Sequence, residues 1–293
     1  MINNLQIRAK NFKTRLTFIY YKYVVLPLIA PGENAANVKY INLAFNTIHI
    51  LTRSSFYKIA HSLPSTIKSE YNNYQLAANN YPLFKPFVPV HSYADRYGIS
   101  FLKLELLTRL DDEAENKKAA ALILTGLKSY GESKKVNLQQ LGNAYLGLII
   151  ARDYLSPSDF TRLTNYLLPF LENNAVRIGP VHYDFHPKNI MQTTAGLPKV
   201  IDFDCFTKHG IQAIDELYYQ IEKQAQTKGY PWIPYLLDYC GDDNAKIAGH
   251  IDWPYDKRIL ALLYFLNRIG QENHLFGIVY SADDILKLNA IYV

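Results

Sequence analysis

The residues best equipped for chemistry in this 293-residue chain lie in one stretch, VHYDFHPKNIMQTTAGLPKVIDFDCF, from Val181 to Phe206. Asp184 stands five residues before Asn189 on a loop that contains Pro187, and Asp202 closes the apolar run Lys199, Val200, Ile201. Such a run reads as a buried strand, so the pattern brings a loop and a strand end to one point. Moving a phosphoryl group from ATP to an alcohol requires a carboxylate to orient the acceptor hydroxyl and hard oxygen donors to hold Mg2+ against the phosphates. Asp184 is the candidate catalytic carboxylate, and Asn189 and Asp202 are the candidate metal ligands. An Asp and an Asn at this spacing are common in turns, where both bond local backbone. The ordered pair of motifs carries the information: the eighteen residues from Asp184 to Asp202 fit a loop, two short strands and a turn at Ala195-Gly196.

The same order of Asp, Asn and strand-end Asp-Phe pairs the catalytic and metal loops of protein kinases. Here the details resemble the aminoglycoside phosphotransferase and choline kinase family, the small-molecule branch of the protein-kinase-like fold. His186-Pro187 stands between the aspartate and the asparagine, Tyr183 fills the slot where protein kinases carry Arg, and Asp204 replaces the glycine after Asp202-Phe203. The resemblance implies an α+β, two-lobed fold: a basic and apolar extension over 1–36, a small β-rich lobe over 37–107 and a larger, mainly helical lobe over 108–293. It implies ATP and Mg2+ as cofactors and a small-molecule hydroxyl as acceptor. Lys58, in a strand reading Phe56-Tyr57-Lys58-Ile59-Ala60, resembles the lysine that contacts the nucleotide phosphates. Its expected partner is Glu70, the only acid between Lys58 and Asp95. Glu105 to Leu107 resembles the hinge that receives adenine, so Glu105 and Leu107 are the candidates there. His182 and His186 read as braces of the loop, Asp204 as a second metal ligand or a loop cap, and Asp215 as the family's second structural aspartate. One departure stands out: no glycine occurs between Asn37 and Lys58, where kinases cover the phosphates with a glycine-rich loop. Asn46-Thr47 or the Arg53-Ser54-Ser55 turn stands in its place.

The elements that must position these residues follow from periodicity. Runs rich in β-branched and aromatic residues, 38–45, 47–52, 54–60, 87–93 and 99–107, predict strands, with one helix near 65–78. The charged run 111–118 reads as a solvated linker or a helix start. Beyond residue 138 the pattern turns helical, over 138–154, from Ser156-Pro157 onward, and over 214–224 and 257–269. Candidates for the acceptor pocket are Asp238, Asp242, Asp243, Asp252, Trp253, Tyr255 and Asp256, because acids beside aromatic rings suit an amine. Amino alcohols, aminoglycosides, envelope sugars and lipid-linked headgroups all remain open, and a composition of this kind is also ordinary for a surface loop.

Bulk composition narrows the class. Hydrophobic residues at 49% supply a substantial core, and the excess of 31 Lys and Arg over 26 Asp and Glu gives +5 without the clustered stripes of a nucleic-acid binder. Cys205 and Cys240 make no disulfide framework and suit a reducing, cytoplasmic setting. The apolar stretch 16–30 follows Arg8, Lys10, Lys13 and Arg15, is too short to span a bilayer, and is interrupted by Lys22 and Pro27. It reads either as an element packed on the first lobe or as a basic segment in peripheral contact with anionic lipid. Two rivals share the fold: a non-catalytic scaffold, for which the glycine-free stretch speaks, and a kinase of an envelope saccharide. A protein kinase is disfavoured by the lack of Ala-Pro-Glu after Asp202.

Overall fold

A computed structural model describes residues 14–44, 47–61, 64–228, 231–241 and 251–292. The alternating apolar residues of the first third build an antiparallel five-stranded sheet from β1 (Tyr40–Ala44), β2 (Thr47–Leu51), β3 (Ser55–Ala60), β4 (His91–Arg96) and β5 (Ile99–Glu105), in the order β1-β2-β3-β5-β4. Ile48 and Ile50 of β2, Tyr57 and Ile59 of β3 and Phe101 of β5 pack against α1, the helical residues 14–29, which pass through a π-helical turn at Tyr21–Val25. Strand side chains alternate between faces, so Lys58, between Tyr57 and Ile59, points to the opposite side. There α2 (Pro64–Asn80) crosses the sheet, burying Ile67, Tyr74 and Ala77 at helical spacing and bringing Glu70 with them.

The order of three strands, a helix and two strands is the one the sequence predicts. The strand expected over 87–93 begins only at His91, because Lys85–Phe87 forms a 3-10 turn and Pro86 and Pro89 have no N–H for a ladder. The charged run is a helix start rather than a linker: the Asp112 side chain accepts the Glu115 N–H at 2.8 Å and caps α3 (Glu113–Lys128).

The rest of the chain is mainly helical, with two small sheets. One orders β10 (Pro198–Val200), β9 (Ile190–Gln192) and β6 (Thr108–Arg109); the other orders β11 (Thr207–Ile211), β8 (Val176–Val181) and β7 (Glu132–Lys134). The hairpin from β9 to β10 turns at Gly196, with φ 77°. The helices are α4 (Gly142–Arg152), α5 (Pro157–Asn173), α6 (Ala213–Lys228), α7 (Trp232–Cys240) and α8 (Lys257–Phe276), followed by two short turns near the end. Residues Ile259 to Leu266 of α8 are all buried, which makes it the central helix of this lobe. It crosses α4 without room for side chains, since a Cβ on Gly147 would lie 1.9 Å from the Leu266 carbonyl oxygen and one on Gly270 would lie 2.0 Å from that of Asn143. That close crossing fixes the height of α8 beside the loop that follows β8.

Candidate active site

β8 runs directly into His182, Tyr183 and Asp184. Tyr183, at φ 58°, and Asp202, at φ 68°, both adopt the left-handed conformation, which costs a non-glycine residue roughly 1–3 kcal/mol and persists only where the surroundings enforce it. For Tyr183 the enforcement is visible. The two carboxylate oxygens of Asp215, in the first turn of α6, accept the His182 N–H at 2.7 Å and the Tyr183 N–H at 2.8 Å, and Gln271 of α8 donates to the Tyr183 carbonyl at 3.1 Å. Burial lifts the Asp215 carboxyl to about 7, against the pull of those two N–H groups. His182 is fully buried, edge-on to Phe185 and Phe203, and donates from Nε2 to the Ile201 carbonyl at 3.0 Å, joining the loop to the strand before Asp202. Burial pushes its imidazole down to about 4, so it is neutral at ordinary pH. Asn116 of α3 donates to the Pro187 carbonyl at 3.0 Å and accepts the Tyr219 hydroxyl at 2.9 Å, tying the far end of the loop.

The charged centre forms where β3, α2 and the residues after β10 meet. Lys58 Nζ lies 2.7 Å from Glu70 Oε2, 3.0 Å from Asp202 Oδ1 and 2.8 Å from Asp204 Oδ2. Burial alone would discharge the ammonium, but the three carboxylates outweigh it and hold Lys58 protonated. Burial likewise opposes ionisation of Asp202, and Lys58 overrides it, holding that carboxyl below the usual range. α2 clamps the residues after β10 directly: the Asp202 N–H donates to the Tyr74 hydroxyl at 3.1 Å, Asn73 donates to the Phe203 carbonyl at 2.8 Å, and Phe203 is buried 4.4 Å from the Tyr74 ring. Asn189 donates its amide N–H to Asp184 Oδ2 at 2.9 Å and to the Asp184 carbonyl at 3.0 Å, which leaves its amide oxygen as the free donor atom for a cation. The Asp184 carboxyl is raised above its ordinary range by burial and by the charge of Asp202, with Arg268 pulling the other way. Glu70, Asp202 and Asp204 offer carboxylate oxygens within 4.8 Å of one another around the Lys58 ammonium, and Asp202, with the Asn189 amide oxygen, supplies hard oxygen donors of the kind Mg2+ takes.

The structure therefore brings together Lys58, Glu70, Asp202 and Asp204, and joins Asp184 to Asn189. Glu105 ends β5; its carboxylate accepts the Val90 N–H at 2.8 Å and lies 3.7 Å from Lys199 Nζ, while Leu107 is half-buried in the connection to β6. Of the stand-ins for a glycine loop, Asn46 lies outside the described residues; Thr47 bonds the Ala44 carbonyl, and the 53–55 turn is pinned to Glu33 through Thr52 and Ser54. Asp242 and Asp243 also lie outside the described residues. The other acceptor candidates fasten the helical lobe: Trp253 and Tyr255 pack on Phe170, Tyr255 donates to the Ala175 carbonyl, Asp256 caps α8 and accepts the Tyr166 hydroxyl, and Asp252 reaches Lys128, while Asp238 is exposed. A cavity of about 360 Å³ opens between Leu110, Asn116, Pro187 and Tyr219, but none of Lys58, Asp184 or Asp202 lines it.

One constellation escapes the sequence reading. Arg268 of α8, one turn before Gln271, stacks 4.6 Å from the Trp232 ring centroid and 5.0 Å from that of Tyr218. It bonds Glu222, Glu272 at 2.7 Å and the Tyr264 hydroxyl at 2.8 Å. Glu222 lies on α6, the helix that holds the loop after β8 through Asp215. A buried arginine on a helix gives no signal in one sequence, because its partners are distant in the chain.

With this geometry in place, comparison with known proteins is informative about the fold. No protein-family model and no curated protein sequence matches the chain. Among solved structures it is similar to choline kinase LicA from Streptococcus pneumoniae, at 13% identity and TM-score 0.51, over 95% of this chain and 97% of that one. It is also similar to a thermostable mutant of aminoglycoside phosphotransferase APH(4)-Ia in ternary complex with ADP and hygromycin B, at 12% identity and TM-score 0.50, over 94% of this chain and 97% of that one. The chain thus has the protein-kinase-like fold of the small-molecule kinases, over nearly its whole length.

Proposed function

We propose that the protein is an ATP- and Mg2+-dependent phosphotransferase that moves the γ-phosphate to a hydroxyl of a small molecule. The observation that carries this reading is the convergence of buried Lys58 and Glu70 with the partly open Asp202 beside the Asp184–Asn189 pair, on a fold shared with small-molecule kinases. In this reading Lys58, steadied by Glu70, contacts the α and β phosphates, and the connection from Glu105 to Leu107 receives adenine. Asn189 and Asp202 would hold Mg2+, which neutralises charge on the phosphates when bound. Asp184 orients the acceptor hydroxyl and takes its proton as the oxygen bonds to phosphorus and ADP departs; its raised carboxyl makes it a stronger base than an exposed aspartate.

The acceptors that belong to this reading are amino alcohols, aminoglycosides and sugars, including an envelope saccharide. The free, buried thiols Cys205 and Cys240 support a cytoplasmic setting. Measuring ADP release across panels of sugars, aminoglycosides and amino alcohols, with and without Mg2+, tests the proposal. Turnover that requires Mg2+ and disappears in Asp184→Asn is expected; nucleotide binding with no turnover on any panel would instead favour a scaffold.

A further inference from the structure

The first 32 residues contain Arg8, Lys10, Lys13, Arg15 and Lys22 and no acidic residue, Glu33 being the first. Within them α1 is apolar on two opposite faces. One face, with Tyr21, Val25, Leu26 and Ile29 at 8% exposure or less, packs on the sheet. The other carries Leu16, Ile19, Tyr20, Tyr23, Val24 and Leu28, spaced at i, i+3, i+4, i+7, i+8 and i+12, each between 43% and 59% exposed. A helix that is apolar all round ordinarily lies in a core, so this second face is short of a partner among the described residues.

The chemistry of that face selects the partner. Arg15 is exposed and Lys22 sits 5.4 Å over the Tyr23 ring, at the flank of the apolar row, where long basic side chains can reach headgroups while their stems lie on apolar surface. Tyr20 and Tyr23 are residues that favour the boundary between hydrocarbon and water. No helix among the described residues is long and apolar enough to cross a membrane. We propose that α1 is a docking surface for an anionic lipid bilayer, lying in the interface with its outer face in the headgroup region and the β-rich lobe held against the membrane. A second copy of the chain is disfavoured as occupant, since the same face of a partner would offer Arg15 and Lys22 no acidic group, none occurring before Glu33.

The test is sedimentation of the full chain with phosphatidylcholine vesicles and with mixed phosphatidylcholine–phosphatidylglycerol vesicles. Expected are binding to the mixed vesicles on the order of tenfold or more above the neutral ones, weakening as salt rises. The exposed double substitution Ile19→Asp with Tyr23→Asp should abolish binding, and Arg15→Glu with Lys22→Glu should reduce it by roughly tenfold. Melting temperature and nucleotide binding of these variants should match the parent, because none of the four residues belongs to the buried face or to the Lys58 cluster. Absence of binding to mixed vesicles, or equal binding to both kinds, would overturn the proposal, as would a concentration-dependent dimer that the aspartate variant dissolves without any vesicle binding. The inference stands apart from the phosphotransferase reading, since neither arm measures turnover.

Discussion

Lys58 and Arg268 are two cations buried to almost the same degree, with side chains 10% and 11% exposed, and each is ringed by carboxylates. Their surroundings differ in two ways. The acids around Arg268, Glu222 and Glu272, are 14% exposed and come from two helices of one lobe, and two aromatic rings close the faces of the guanidinium. Around Lys58 only Glu70 is sealed; Asp202 and Asp204 are 41% and 27% exposed and come from a loop, while Lys58 and Glu70 come from the sheet and α2. A guanidinium held by planar, directional bonds and ring faces is fixed, whereas an ammonium among partly open carboxylates can exchange partners with a ligand. A buried cation ringed by acids can serve a ligand only where those acids open toward solvent, as Asp202 and Asp204 do around Lys58.

Replacing Asp184 with Asn, beside the open cluster, should lower turnover on the order of 10³-fold while leaving nucleotide binding intact, as read by steady-state kinetics and by calorimetry. Removing the closed cation, Arg268→Met, strands two buried carboxylates and should lower unfolding free energy in urea by about 3–5 kcal/mol, with no recovery on adding Mg2+. Lys58→Met should also destabilise, but here millimolar Mg2+ should restore much of the loss, because Asp202 and Asp204 are reachable by a solution cation. Equal responses of the two variants to Mg2+ would erase the distinction.

A smaller effect concerns pH. Above about 6.5 the His182 ring is neutral in folded and unfolded chains alike; between there and about 4 only the unfolded chain takes up a proton. Stability therefore falls on acidification through this window, by up to about 3 kcal/mol from His182. Asp215, whose raised carboxyl at about 7 favours the folded state as pH drops, acts in the opposite direction. The difference between parent and His182→Phe unfolding curves across pH isolates the histidine, and a pH-independent difference would contradict its buried, neutral state. Smallest of all, Asp256→Ala should cost about 1 kcal/mol by uncapping α8 and leave acceptor KM unchanged, since this aspartate fastens a helix.

Much of the open site was legible in the sequence, and almost none of the closed one. Asp184, Asn189, Asp202 and Asp204 sit within 21 residues, and local turn and strand chemistry alone brings them near one another. Lys58 and Glu70 were legible because strand alternation and the scarcity of acids left one pairing. Arg268 has partners at Glu222 and on α7, so its role depends on how three helices cross, and the Gly147–Gly270 contact that seats α8 against α4 looks like two isolated glycines in helical runs. Asn116, which binds the Pro187 carbonyl from a charged run, gives no sign of that role for the same reason. The Asp, Trp and Tyr residues near 252–256 show the limit of composition: acids beside rings suit either an amine pocket or a surface loop, and here their hydrogen bonds run within the lobe.

The central claim is a Mg2+-dependent nucleotide site at Lys58, Asn189 and Asp202. The most direct measurement is the thermal unfolding of the purified protein with ATP, with and without Mg2+, beside an Asp202→Ala variant. Saturation at about a hundred times the dissociation constant should add roughly 2.7 kcal/mol of stability, a rise in Tm of about 5 °C. That rise should require Mg2+ and vanish in Asp202→Ala. No shift at millimolar ATP, or one of equal size in the variant and without Mg2+, would contradict the account.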